Sequence, residues 1–158
     1  DTRAGATTDA VPGQAVFYFP RFAADPRYGP QSPERVDYSC FSGSSAFLST
    51  PSDLVRFVVA LGAGRLLKPA TVELLQTSQR LASGQDTGYG LGWEIEHIEL
   101  KGTATRTIGY DGELKGGVVV SCRSVPSAGV TVAVFSNISY ASTPVMAERV
   151  ARIFADPD

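Results

Sequence analysis

Apolar positions along the second part of the chain switch from a helical spacing to a two-residue spacing and back, and each switch marks an element. From 51 to about 62, Leu54, Phe57, Val58 and Leu61 fall at i, i+3, i+4 and i+7, one amphipathic stripe. Thr50 is placed to cap the first turn, Pro51 sits where a missing N–H is harmless, and Asp53 complements the positive helix end; Gly62 and Gly64 end the helix. A second helix over about 69–78 opens on Pro69 and turns Val72, Leu74 and Leu75 inward. After the turn-rich stretch Ala82 to Gly88, Tyr89, Leu91, Trp93 and Ile95 alternate with Gly90, Gly92, Glu94 and Glu96, the pattern of a strand with one buried face. Strands at 103–110 and 117–123 follow, separated by a glycine-bearing corner from Tyr110 to Gly117. Val130 to Ser136 is apolar on both faces and reads as a central strand with helices on either side. A last helix begins at Ser142-Thr143-Pro144 and lays Met146, Val150, Ile153 and Phe154 on the sheet. Short turns between strands imply antiparallel pairing, so the fold class is α+β, an antiparallel sheet with helices on its faces.

Residues 1 to about 46 lack such periodicity. Pro12, Pro20, Pro26, Pro30 and Pro33 prevent a long helix, while Phe17, Tyr18, Phe19 and Phe22 offer anchors. The segment reads as ordered loop with a short strand at 15–19. A loop of roughly forty residues is uncommon in a compact domain and signals function or a missing packing surface.

A chain of 158 residues fills one core, and 1–158 reads as a single domain. Fourteen basic and sixteen acidic residues give a net charge of −2, too balanced for a phosphate-backbone binder, so nucleic acid is not an expected partner. No apolar run approaches the ~20 residues of a membrane span, and the opening DTRAGATTDA lacks the regions of a signal peptide, so the chain reads as soluble. Cys40 and Cys122 are too few for a disulfide framework or a CxxC zinc site; plain thiols or one bridge in an oxidising compartment both stay open. The lone histidine, His97, provides no pair for a metal, and neither metal nor organic cofactor is implied. Among Glu96, Ile98 and Glu99 near a strand end, it reads as a solvated strand histidine rather than part of a triad.

Nucleophile motifs are missing. Gly43-Ser44-Ser45-Ala46-Phe47 lacks the last glycine of a G-x-S-x-G elbow. Three residues before Lys68, Lys101 and Lys115 stand Arg65, Ile98 and Gly112, so no Ser-x-x-Lys pair is present. The informative stretch is Gly109 to Gly117, with four glycines in nine residues. They allow backbone to approach a ligand closely, and they equally fit a plain glycine-rich hairpin.

Leu48-Ser49-Thr50-Pro51-Ser52-Asp53-Leu54, Tyr89-Gly90-Leu91-Gly92-Trp93-Glu94, Gly109-Tyr110-Asp111-Gly112 with Gly116-Gly117, and Val132-Ala133-Val134-Phe135-Ser136-Asn137 follow one another in register. In that order the chain resembles the C-terminal half of class C β-lactamases and the related penicillin-binding proteins and family VIII esterases. Asp1-Thr2 is similar to the family's segment just after a Leu-Gly-Met turn. The resemblance implies an incomplete β-lactamase/transpeptidase-like fold in which Tyr110-Asp111-Gly112 takes the place of the third active-site motif, Lys-Thr-Gly or His-x-Gly. It further implies that the backbone N–H of Glu113 is one oxyanion-hole donor, that Gly112 lets substrate lie against the strand, and that Asn137 stands near the substrate's carboxylate end or serves a turn. Tyr110 replaces the usual cation, which resembles the esterase branch, and Asp111 adds negative charge beside the cleft. The family's Tyr-x-Asn is also missing, since Tyr38-Ser39-Cys40 has the wrong third residue and the wrong place in chain order.

The expected function is therefore the C-terminal part of a serine hydrolase acting on ester or amide substrates, β-lactam or peptide-like, through an acyl-enzyme and inactive alone. Its expected partner is the N-terminal half of the same fold or a self-associated copy. The family is commonly exported, so the resemblance implies a periplasmic or secreted protein. The alternative is a non-catalytic binding or interaction domain on the same scaffold.

Overall fold

The computed structural model describes residues 2–5, 11–21, 26–41, 43, 47–114 and 117–156. Two short antiparallel pairs organise its beginning: β1 (Arg3–Ala4) with β4 (Phe47–Leu48), and β2 (Phe19–Pro20) with β3 (Pro30–Gln31). Helices α1 (Pro51–Gly62) and α2 (Pro69–Leu75) follow. An antiparallel sheet then runs in the order β5 (Glu94–Leu100), β6 (Thr103–Leu114), β7 (Val118–Val125), β8 (Val130–Ser136), and α3 (Thr143–Ala155) closes the described chain. No helix among the described residues is long and apolar enough to cross a membrane.

Helix α1 starts as its sequence dictates, with the Thr50 hydroxyl accepting the Asp53 N–H at 3.1 Å. Val58 and Leu61 are buried, whereas Phe57, expected inside, is half exposed. Helix α2 is three residues shorter than expected and buries Val72, while Leu74 faces out.

Three further expectations are corrected. The alternating stretch from Tyr89 is not one strand: the chain doubles back, Gly90 N–H donating to Trp93 O at 2.7 Å and Ile95 N–H to Gly88 O at 2.8 Å, and β5 starts only at Glu94. A turn uses alternate residues on both of its arms, so it mimics strand periodicity without sharing a face. The expected corner at Tyr110 is absent, because β6 runs straight through to Leu114 in unbroken register with β7. Gly109 is in the strand for space, since a Cβ there would lie 2.2 Å from the Cys122 carbonyl oxygen. Helix α3 seats Thr143, Ala147 and Ala151 on the sheet, while Met146, Ile153 and Phe154 point away. Small residues let the helix approach closely enough for Ser121 and Thr143 to share a 2.8 Å hydroxyl hydrogen bond, and the large residues are left outside.

The apolar core lies between α3 and the sheet, where Ala151 meets Ile98 and Val125 with Leu100, Val130, Val132 and Ala155 around them. β8 has helices α1 and α3 packed against it, yet it pairs only with β7 and ends the described sheet instead of lying at its centre. Cover on both faces, rather than neighbours on both edges, explains its apolar composition. Cys122 is buried, Cys40 is exposed, and both are free thiols.

Part of the opening loop is anchored just past β8. The Tyr18 N–H donates to Asn137 O at 2.8 Å, Ser139 N–H donates to Tyr18 O at 3.1 Å, and the Asn137 amide donates to Val16 O at 2.8 Å. Phe17, Tyr18 and Phe19 are half buried, and Phe22 lies outside the described residues. Gly117, at φ +99°, makes this docking possible, because a Cβ there would lie 2.3 Å from the Tyr18 carbonyl oxygen. In the intact protein Gly117→Ala should therefore cost about 2 kcal/mol or more in urea unfolding and speed exchange of the Tyr18 amide. A loss below about 0.5 kcal/mol, the range of neutral surface changes, would count against this docking.

Candidate active site

The site begins with unequal strand lengths. β5 meets β6 first at the Glu94–Gly109 pair, so among the described residues Tyr110 to Leu114 have a strand neighbour only on the β7 side. Ile95 spends its N–H on Gly88, which makes Glu94–Gly109 a hydrogen-bonded pair. Alternation then aims the N–H groups of Gly109, Asp111 and Glu113 at the β5 edge and those of Tyr110, Gly112 and Leu114 at β7. The Asp111 N–H accordingly faces the Glu94 carboxylate. The Glu113 N–H lies about 7 Å further along the same edge, past the end of β5. Its side chain bends the other way, Oε1 accepting the Tyr140 N–H at 3.3 Å.

The two faces of this overhang differ in charge. On the α3 face, among the described residues of these strands, stand Glu94, Glu96, Asp111 and Glu113 with one cation, Arg123, whose side chain is only 5% exposed. Arg123 Nη1 lies 2.6 Å from Glu96 Oε2 and Nη2 lies 2.9 Å from Asp111 Oδ2. Gly109 pairs directly with Arg123, and its missing side chain lets the guanidinium cross β6 to reach β5. Asp111 Oδ1 is buried without a hydrogen-bond partner among the described residues. Burial first, then the neighbouring Asp111 carboxylate, raises Glu94 above the ordinary glutamate value, with Arg123 opposing. The opposite face carries Tyr110, Gly112 and Leu114. There the rings of Tyr89 and Tyr110 meet edge to face, centroids 6.3 Å apart at 68°.

The structure thus brings Tyr110, Gly112 and the Glu113 N–H to one strand end. Asp111 shares the strand but turns its carboxylate to Arg123 on the other face. Asn137 is two strands away, about 10 Å by sheet spacing, because Ser136 pairs with Val119 and Val119 with Glu113. Its side chain holds Val16. Lys115 and Gly116 lie outside the described residues. The sequence reading missed Arg123, Glu94, Glu96 and Tyr89. A lone arginine inside the apolar run Val118 to Val125 was the available signal, since a buried arginine requires paired carboxylates.

His97 is exposed in the middle of β5 and borders an open hollow of about 590 Å³ between α2 and the sheet, with Glu73, Ser78 and Arg106 also on its lining. The Ser78 hydroxyl accepts the Gly88 N–H at 3.0 Å, and no hydrogen bond joins it to His97. The described residues contain no group of His, Cys, Asp and Glu set to hold a metal ion.

This chain belongs to the Beta-lactamase family, whose model matches residues 1–155. Among solved structures it is similar to a D-stereospecific amidohydrolase from Streptomyces sp., with a TM-score of 0.72 and 17% identity over 95% of this chain and 43% of that one. It is also similar to the D-amino acid amidase from Ochrobactrum anthropi SV3, solved with L-phenylalanine amide, with a TM-score of 0.64 and 22% identity over 87% of this chain and 39% of that one. These likenesses establish the β-lactamase-like fold, and the chain spans about two fifths of each structure's length. No curated protein matches it.

A carboxyl whose pKa is raised by folding holds its proton more tightly folded than unfolded, so ionised Glu94 opposes folding. That opposition is full above the raised folded value, fades as pH falls through it, and is gone below the ordinary 4.5. Glu94→Gln should therefore raise the urea midpoint of the intact protein at pH 7, with the gain vanishing toward pH 4.5. An equal gain at both pH values would contradict this account.

Proposed function

We propose that this chain is the cleft-lining part of a serine hydrolase that cleaves esters or amides through an acyl-enzyme, with the nucleophilic serine and its lysine and tyrosine partners on the remainder of the protein. The observation that carries the reading is the overhang of β6, which leaves the Glu113 N–H on a strand edge that no described strand covers. Membership of the Beta-lactamase family supports it. In the reaction the serine oxygen bonds to the substrate carbonyl carbon, and the carbonyl electron pair moves onto oxygen. The Glu113 N–H and the serine's own N–H hold that oxyanion; its collapse expels the alcohol or amine with a proton, and water later releases the acid.

Two surfaces left uncovered by the described residues fit the remainder of the fold: the outer edge of β8 and the outward stripe Met146, Ile153 and Phe154 of α3. Tyr110 stands where related proteins carry a cation, and Gly112 gives substrate room against the strand.

Residues 1–158 alone should hydrolyse neither a chromogenic ester nor a cephalosporin. In the intact protein Glu113→Pro, which deletes the donor while sparing the β6–β7 hydrogen bonds, should lower kcat about 100-fold or more, whereas Glu113→Ala retains the N–H and most activity. Equal activity of the two variants would refute the donor assignment. An intact protein with no Ser-x-x-Lys and no such cleavage would instead be a binding domain on the same scaffold.

A further inference from the structure

We propose that Tyr89 and Tyr110 form the wall of a substrate subsite that takes an aromatic or bulky apolar group beside the scissile carbonyl, so that the preferred substrates are uncharged esters or amides. This inference rests on the hydrolase reading, and it assigns that same site a substrate class.

Both rings are partly exposed, Tyr89 at 39% and Tyr110 at 48%, and they meet at the end of β6 that carries the Glu113 N–H. Tyr110 and Gly112 point to the same face of β6. Among the described residues the floor beside the rings is open: within 4 Å of a Cβ built on Gly112 lies only Tyr110 Cε1, at 3.8 Å. An edge-to-face pair leaves ring surface against which a third ring or a branched alkyl group packs.

Among the described strand residues at this end, the same face presents no cation to a carboxylate. Across β6 and β7 it presents Tyr110–Cys122, Gly112–Val120 and Leu114–Val118, all uncharged. Burial pushes the Cys122 thiol up to about 11, so it stays neutral near pH 7. Arg106 shares this face but stands four residues back along β6, about 13 Å away by strand rise, and donates to the Gln76 carbonyl. Glu94, Asp111 and Glu113 lie on the opposite face of the same end, where their field disfavours an anionic substrate further. Arg123, the cation among them, is buried and already paired.

The test uses the intact protein and compares kcat/KM for p-nitrophenyl phenylacetate with the acetate, and for the valerate with the glutarate monoester, together with the matching p-nitroanilides. The phenylacetyl and valeryl substrates should each be favoured about tenfold or more, since a hydrophobic pocket discriminates on this scale. Tyr89→Ala should shrink the phenylacetyl preference about fivefold through KM, and Tyr89→Phe should preserve it. Flat selectivity in the wild-type protein, a preference for the glutarate monoester, or an unchanged ratio in a folded Tyr89→Ala variant would overturn the inference alone. Cleavage of none of these substrates would overturn the hydrolase reading and this inference with it.

Discussion

Arg123 of β7 pairs with a carboxylate on the adjacent β6 and reaches across Gly109 to another on β5, and this clamp sits where the open strand edge begins. A guanidinium this buried demands partners, because a charge left unpaired in the interior is strongly destabilising. Glu96 supplies one partner from β5 and Asp111 the other from β6, so three strands are tied together where β5 begins. The close pairing of β6 with β7 requires glycine at 109, because the Cys122 carbonyl oxygen occupies the space a Cβ would need. Two residues past Asp111 stands Glu113, whose N–H direction is set by the same register. The clamp thus steadies the strand just before the proposed oxyanion donor.

Strand alternation then sorts the chemistry. Because successive side chains point to opposite faces, the carboxylates of this end gather on the α3 face with Arg123, and Tyr110, Gly112 and Leu114 gather on the other. The charge at Asp111 is spent on holding the sheet, and the face beside Tyr110 is left neutral. A single strand end therefore separates a structural ion cluster from an apolar surface suited to an acyl group.

Much of the architecture was legible because it rests on local physics. Capping by Thr50, the stop after Gly62, the strands after 103 and the antiparallel class all follow from hydrogen bonding and periodicity within a few residues. The misreadings share a cause in tertiary contact. The glycine-bearing stretch Tyr110 to Gly117 looks like a corner in sequence, yet the strand continues to Leu114 because its pairing with β7 runs on through Gly112. Met146, Ile153 and Phe154 make the stronger hydrophobic stripe of α3, yet the alanines win the sheet because close approach favours small side chains. Tyr89 to Trp93 alternates like a strand but turns back on itself.

For the site, the amino-acid order alone located the segment Tyr110 to Glu113 and showed that Ser-x-x-Lys is missing from these residues. It also carried the resemblance that the Beta-lactamase family match bears out. Only the tertiary structure decided that β5 stops short of Tyr110, that Asp111 belongs to Arg123, and that Tyr89 joins Tyr110. Strand ends, cross-strand ion pairs and ring contacts depend on which distant residues are brought together, and local spacing carries no record of that.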